Sequence, residues 1–144
     1  MAAHLIRGAV VGTWMLAVAA PALALDPGQP VVVTPILTTM QTAADQPIVL
    51  PQEDVHVTAS RYEIAPGATL PVHKHPYQRY AYVLAGTLEV TDVESGKTTT
   101  YKPGDFIVEV VDRWHQGRNV GTDKVELIVI DQVAGDAPQT ILKQ

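Results

Sequence analysis

Cysteine is absent from the 144-residue chain. That excludes a disulfide framework and any thiolate chemistry. Positive charge is scarce: 10 Lys and Arg stand against 15 Asp and Glu, a formal net charge of −5. With no basic excess to neutralise phosphates, nucleic acid is not an expected partner. Also missing are an amphipathic helical period and a simple internal repeat. What is present is apolar content of 47%, enough for a globular core, in a length that suits one domain and not two.

The N-terminus has the pattern of an export signal. Arg7 is its one clear cation, Gly8 to Ala20 is an apolar run, Pro21 interrupts it, and Ala22-Leu23-Ala24 is the small-x-small pattern of a cleavage site. Acidic residues begin only at Asp26. Residues 1–24 are therefore expected to be a signal peptide cleaved near Ala24, which places the protein in the periplasm or outside the cell. The alternative is an uncleaved anchor over Gly8 to Leu25, barely long enough to span a bilayer. After cleavage no membrane association is expected.

Residues 25–51 carry Pro27, Pro30, Pro35, Pro47 and Pro51, which disfavours a long helix. An extended arm is expected there, with an edge strand near Ile48-Val49-Leu50. Such an arm is suited to pack on a second subunit, so a homodimer is the expected assembly. Residues 52–133 then read as short strands between turn residues. These are Val55 to Ile64, Tyr80 to Leu84, Thr87 to Thr91, Phe106 to Val111, Trp114 to Asn119 and Val125 to Asp131. Glu94-Ser95-Gly96-Lys97 reads as a hairpin tip between Val90 and Tyr101, and Pro103-Gly104-Asp105 as a turn. Gly86 and Gly104 are expected at positive φ. Residues 134–144 look like a tail. Strands at this spacing predict an all-β sandwich or barrel.

Within this pattern His73-Lys74-His75 stands out. Side chains at i and i+2 of a strand share a face, so the two imidazoles are preset to share one metal ion. His115 offers a third nitrogen from another strand.

Two blocks carry a family resemblance. GATLPVHKHPYQRYAYVLAG, Gly67 to Gly86, resembles the first cupin motif, G-x5-H-x-H-x3-E-x6-G, matching at Gly67, His73, His75 and Gly86. GKTTTYKPGDFIVEVVDRWHQGRN, Gly96 to Asn119, resembles the second, G-x5-P-x-G-x2-H-x3-N, matching at His115 and Asn119. Val110, Val111 and Asp112 replace its Pro-x-Gly, and Gly96 to Pro103 is one residue longer than the pattern. The resemblance implies an all-β double-stranded β-helix (a jelly-roll cupin barrel) with an extended N-terminal arm. It also implies a divalent transition metal (Fe, Mn, Ni, Cu or Zn) held by His73, His75 and His115. No organic cofactor site is singled out.

One departure bears on the chemistry. The motif's glutamate falls at Arg79, whose guanidinium stays charged and has no lone pair for a metal. At about 4 Å and an effective dielectric near 20, its repulsion of a divalent cation is several kcal/mol. Either metal affinity is lost, or Arg79 turns away, or an anion lies between. Gln78 is a candidate fourth ligand through its amide oxygen. Glu109, an acid among Phe106, Ile107, Val108, Val110 and Val111, is a candidate ligand, general base, or partner of Arg79 or Arg113; facing solvent is the alternative. Arg79 is itself a candidate for holding a substrate carboxylate. Tyr77, Tyr80, Tyr82 and Trp114 are expected in the core or cavity wall. Asn119 is expected to pin a turn or strand end. His4 and His56 carry no functional signal.

Two functions follow as expectations. The first is an exported metal-dependent enzyme on a small molecule, with a dioxygenase as one reaction class and isomerase or lyase chemistry as another. The second is a non-catalytic protein that binds a small anionic or sugar-like ligand with or without metal.

Overall fold

The structure, a computed structural model, describes residues 31–144. The expected signal peptide, the alternative anchor, His4 and the first arm residues lie outside the described residues. Residues Ile36–Gln144 form one compact unit. Its strands are β1 (Val55–Ile64), β2 (His73–Lys74), β3 (Arg79–Ala85), β4 (Leu88–Asp92), β5 (Thr98–Tyr101), β6 (Phe106–Val108), β7 (His115–Asn119), β8 (Val125–Ala134) and β9 (Ile141–Leu142). No helix occurs among the described residues.

Two antiparallel sheets face each other, in the orders β1-β8-β3-β6 and β5-β4-β7-β2-β9. This is the expected double-stranded β-helix. The alternation of β8 buries Val125, Leu127, Val129, Asp131 and Val133 on one face, and β3 buries Arg79, Ala81 and Val83. Ile64, Leu88 and Ile107 complete the apolar centre with Val83, Val125 and Leu127. Each such side chain contributes roughly 1.5–3 kcal/mol on burial. The alternation that builds the core also carries a charge inward on each strand. Arg79 and Asp131 lie directly opposite in the β3–β8 register.

Turn chemistry sets the registers. Gly86 has φ 78°, and a Cβ there would lie 2.6 Å from the Lys124 carbonyl oxygen, so only glycine fits the β3–β4 turn. Gly104, at φ 97°, sits in the Pro103-Gly104-Asp105 turn, which exchanges two backbone hydrogen bonds of 3.0 Å with Val83. The β4–β5 tip is capped by the Asp92 carboxylate, which accepts from the backbone of Glu94 and Ser95.

The structure departs from expectation in three places. Ile48 to Leu50 is not a strand; just before it the arm makes a tight turn over Ala43–Asp45, closed by a Gln41–Pro47 bridge and by the Ile48 N–H donating to Met40 at 3.1 Å. Pro47 and Pro51 supply no backbone donors for a ladder. The strand expected over Phe106 to Val111 ends at Val108, because the chain then swings to a bridge between Val111 and His75. Asp112, at φ 53°, takes the place the second motif gives to glycine. Finally, the expected tail contains β9, which pairs with β2.

Candidate metal centre

His73 lies on β2 and faces His115 of β7 as its direct register partner. His75 follows just beyond β2, held by the bridge to Val111. All three side chains are buried, at 7%, 1% and 3% exposure for His73, His75 and His115. Their ring centroids are 4.4–4.9 Å apart. One nitrogen from each ring lies within 4.8 Å of the other two.

The backbone fixes which nitrogen that is. Nδ1 of His73 donates to the Pro71 carbonyl at 2.7 Å, Nδ1 of His75 to Gln139 at 2.9 Å, and Nδ1 of His115 to Arg113 at 2.9 Å. With each Nδ1–H committed, the lone pair of each neutral ring sits on Nε2. Nε2 of His115 is buried without a hydrogen-bond partner. A carbonyl behind each imidazole is the usual support for a metal-ligating histidine.

Glu109 reaches the same cluster. Its Oε2 lies 3.2 Å from Nε2 of His75 and 3.4 Å from Nε2 of His115. The solvent-facing alternative does not hold, since the side chain is 19% exposed. Burial alone would raise its pKa, but His115, His75 and the Arg79 charge outweigh that and hold the carboxyl well below the usual carboxylate range. In return Glu109 lifts the His115 ring above its ordinary value, against the pull of burial. Burial, with the charges of His115 and His75, pushes the His73 ring down to about 4.

Arg79 points inward, as the motif position requires, but its charge is met. Nε donates to Asp131 Oδ1 at 2.6 Å and Nη2 to Thr140 Oγ1 at 3.1 Å. Nη1 lies 3.4 Å from Nε2 of His75. With these contacts Arg79 is a braced wall of the cluster rather than a free clamp for a substrate carboxylate. Gln78 donates through its amide nitrogen at 3.0 Å to the carbonyls of Arg79 and of Glu109, while its Oε1, the atom that would ligate, is buried without a hydrogen-bond partner. Asn119 pins the β7–β8 turn, donating to Ile64 and Asp123 and accepting from Gly121.

Tyr77 lines a cavity as expected, with Pro47, Leu50 and Val111; the other three aromatic residues differ from expectation. Tyr80 and Tyr82 take the outward positions of the β3 alternation. Trp114 stacks under the ammonium groups of Lys74 and Lys143. The aromatic wall of the interior cavity is Tyr62 instead, with the Arg79 guanidinium 5.8 Å from its ring centre. Thr140 and Gln139 were missed altogether, since nothing in a polar C-terminal stretch marks them as site residues.

The interior cavity, ≈ 40 Å³, is walled by Leu70, Leu127 and Val129 and bordered by His73, Arg79, Glu109 and His115. That is room for a few water-sized groups. A larger cavity of ≈ 230 Å³, lined by Asp92, Lys97, Tyr101 and Arg113, shares Val90 and His115 with it. Three imidazoles with fixed tautomers are a donor set that fits a divalent first-row transition metal.

The comparisons agree with this geometry. The Cupin domain family profile matches residues 60–131. No curated protein sequence matches the chain. The polyketide cyclase RemF from Streptomyces resistomycificus is similar at 18% identity and TM-score 0.52, covering 61% of this chain; the chain spans 62% of that protein. An uncharacterised protein with a double-stranded β-helix domain from Klebsiella pneumoniae is similar at 20% identity and TM-score 0.51, covering 78% of this chain and 96% of that one. At these identities the likeness is one of fold. With the family profile spanning half the chain and the double-stranded β-helix in place, the protein belongs to the cupin family.

Proposed function

We propose that the protein is an exported, metal-dependent cupin enzyme in which His73, His75 and His115 hold a divalent transition metal and a small molecule is converted beside it. One observation carries the reading. All three Nδ1–H groups are spent on backbone carbonyls, so three Nε2 lone pairs are left facing one another in a buried pocket. Left without a cation, the cluster buries Nε2 of His115 with no hydrogen-bond partner. The export part rests on the residue 1–24 pattern.

When bound, the metal supplies Lewis-acid or redox activation of a small molecule at its open positions. The chain does the rest. Leu70, Leu127 and Val129 keep the interior dry. The interior space admits only a group of a few heavy atoms, so the body of a larger substrate lies in the outer cavity, where His115 is the shared border. Glu109, held ionised beside the rings, adds a negative charge at the site. Dioxygenase chemistry on such a substrate is the first class to assay.

The test is metal analysis of the purified protein, with His73→Ala alongside, then O₂ uptake by Fe(II)-loaded protein on phenolic, diketone and thiol compounds. One tightly held metal per chain, lost in the variant, supports the metal centre. Metal content unchanged by His73→Ala overturns it. A ligand that raises the melting temperature without turnover would move the protein to the small-ligand-binding class.

A further inference from the structure

The motif position that carries an acid in the family pattern carries Arg79, yet the cluster does not lack an acid. We infer that Glu109 is the fourth protein ligand of this metal centre, supplied from the segment after β6 instead of from β3, with the Arg79–Asp131 pair as its brace. The inference rests on the metal-centre reading above and concerns a residue other than the first motif's acid position.

The distances carry it first. Two atoms each about 2.1 Å from one ion are about 3.0 Å apart at a right angle and about 3.4 Å at a tetrahedral angle. Glu109 Oε2 lies 3.2 Å and 3.4 Å from the Nε2 atoms of His75 and His115. It has the spacing of a fellow ligand to both.

The hydrogen-bond ledger carries it second. His75 and His115 donate from Nδ1 to carbonyls, so neutral rings turn lone pairs toward the carboxylate oxygen. Nε2 of His75 has Arg79 Nη1 at 3.4 Å, and Nε2 of His115 is buried with no hydrogen-bond partner. One divalent ion facing both nitrogens and the carboxylate oxygen would satisfy all three at a single point.

The frame around Glu109 carries it third. Its N–H donates to the Arg79 carbonyl at 2.9 Å, and its own carbonyl accepts from Gln78 at 3.0 Å. On one side Ala43 N–H donates to the Val108 carbonyl at 2.8 Å. On the other the Gln46 amide clamps Val111, donating to its carbonyl at 2.8 Å and accepting from its N–H at 3.0 Å. A solvent-facing acid needs no such scaffold. Meanwhile Asp131 answers the guanidinium at 2.6 Å, so Arg79 and Asp131 together are neutral and Glu109 leaves one net negative charge for the ion, as a motif glutamate would.

The test uses the purified full chain stripped with a chelator and titrated with Co(II), following the visible ligand-field spectrum and the dissociation constant. Wild type, Glu109→Gln, Glu109→Asp and His73→Ala are compared, with the melting temperature of each metal-free protein as a folding check. Glu109→Gln keeps the shape and loses the charge. It is expected to weaken binding at least tenfold and to change the band positions, while Glu109→Asp falls between it and wild type. Wild-type affinity and spectrum in Glu109→Gln, with binding lost in His73→Ala, would overturn the ligand role and leave the three-histidine reading standing. Binding unchanged in His73→Ala would overturn both.

Discussion

At the scale of single residues, the Arg79–Asp131 pair governs both stability and the charge of the site. Both side chains are buried, at 3% and 2% exposure. Removing one partner strands the other charge away from water, which costs about 3–5 kcal/mol. Asp131→Asn is therefore expected to lower the unfolding free energy by that order in urea denaturation. A double change to apolar residues, Arg79→Met with Asp131→Leu, should recover most of the loss, because it removes the charges together. A second expectation concerns protons. In metal-free protein the His73 ring should stay neutral down to about pH 4, whereas the His115 ring, facing Glu109, should take up its proton above the ordinary 6.5. Imidazole nitrogen shifts followed by NMR across this range would separate the two rings; a shared midpoint would contradict the arrangement. Much of this chemistry was legible in the sequence. The pairing of His73 and His75 follows from spacing, and the His115 addition and the oddity of Arg79 from the resemblance to the cupin motifs. The answer to that oddity did not, because Asp131 becomes its partner only through the cross-strand register of β3 and β8.

At the scale of elements, long alternating strands are readable and short ones are not. β8 buries every second residue from Val125 to Val133, and β1 spans the ten residues Val55–Ile64 expected of it. β2 and β9 have two residues each, too few for any period to show. Yet β9 pairs with β2, and the residues before it place the Gln139 carbonyl on His75 and the Thr140 hydroxyl on Arg79. A chain ending at Pro138 should therefore bind Co(II) about 10–100-fold more weakly, the usual cost of losing an outer partner of a metal-ligating histidine. A calorimetric titration would measure it. The β3–β4 turn gives a sharper test of the fold itself. Gly86→Ala forces a side chain into a left-handed residue already against the backbone of Lys124 and Val125. The conformational part alone costs on the order of 1–3 kcal/mol, and the clash adds to it.

At the scale of the whole molecule, the cluster couples the two sheets, and the coupling should appear as stability. His73 and His115 belong to the five-stranded sheet, Arg79 and Asp131 to the four-stranded one, and Glu109 follows the last strand of the latter. An ion held between the histidines and Glu109 ties these faces at one end of the barrel, while Val83, Val125 and Leu127 tie them in the middle. Because the unfolded chain scatters these ligands, binding adds directly to the unfolding free energy. At a free metal concentration one hundred times the dissociation constant the gain is about 2.7 kcal/mol. For a domain of this size that raises the melting temperature by roughly 5–15 °C. A thermal scan with metal, then with excess chelator, should show the rise and its reversal. The same scan on Gln46→Ala separates local from global effects. Gln46 touches neither histidine nor Glu109, but it grips Val111, which bridges to His75. Its loss should trim the metal-dependent part of the rise more than the melting temperature of the metal-free protein. An equal drop in both would mean that the arm merely covers the barrel and does not hold Glu109 and His75 in place.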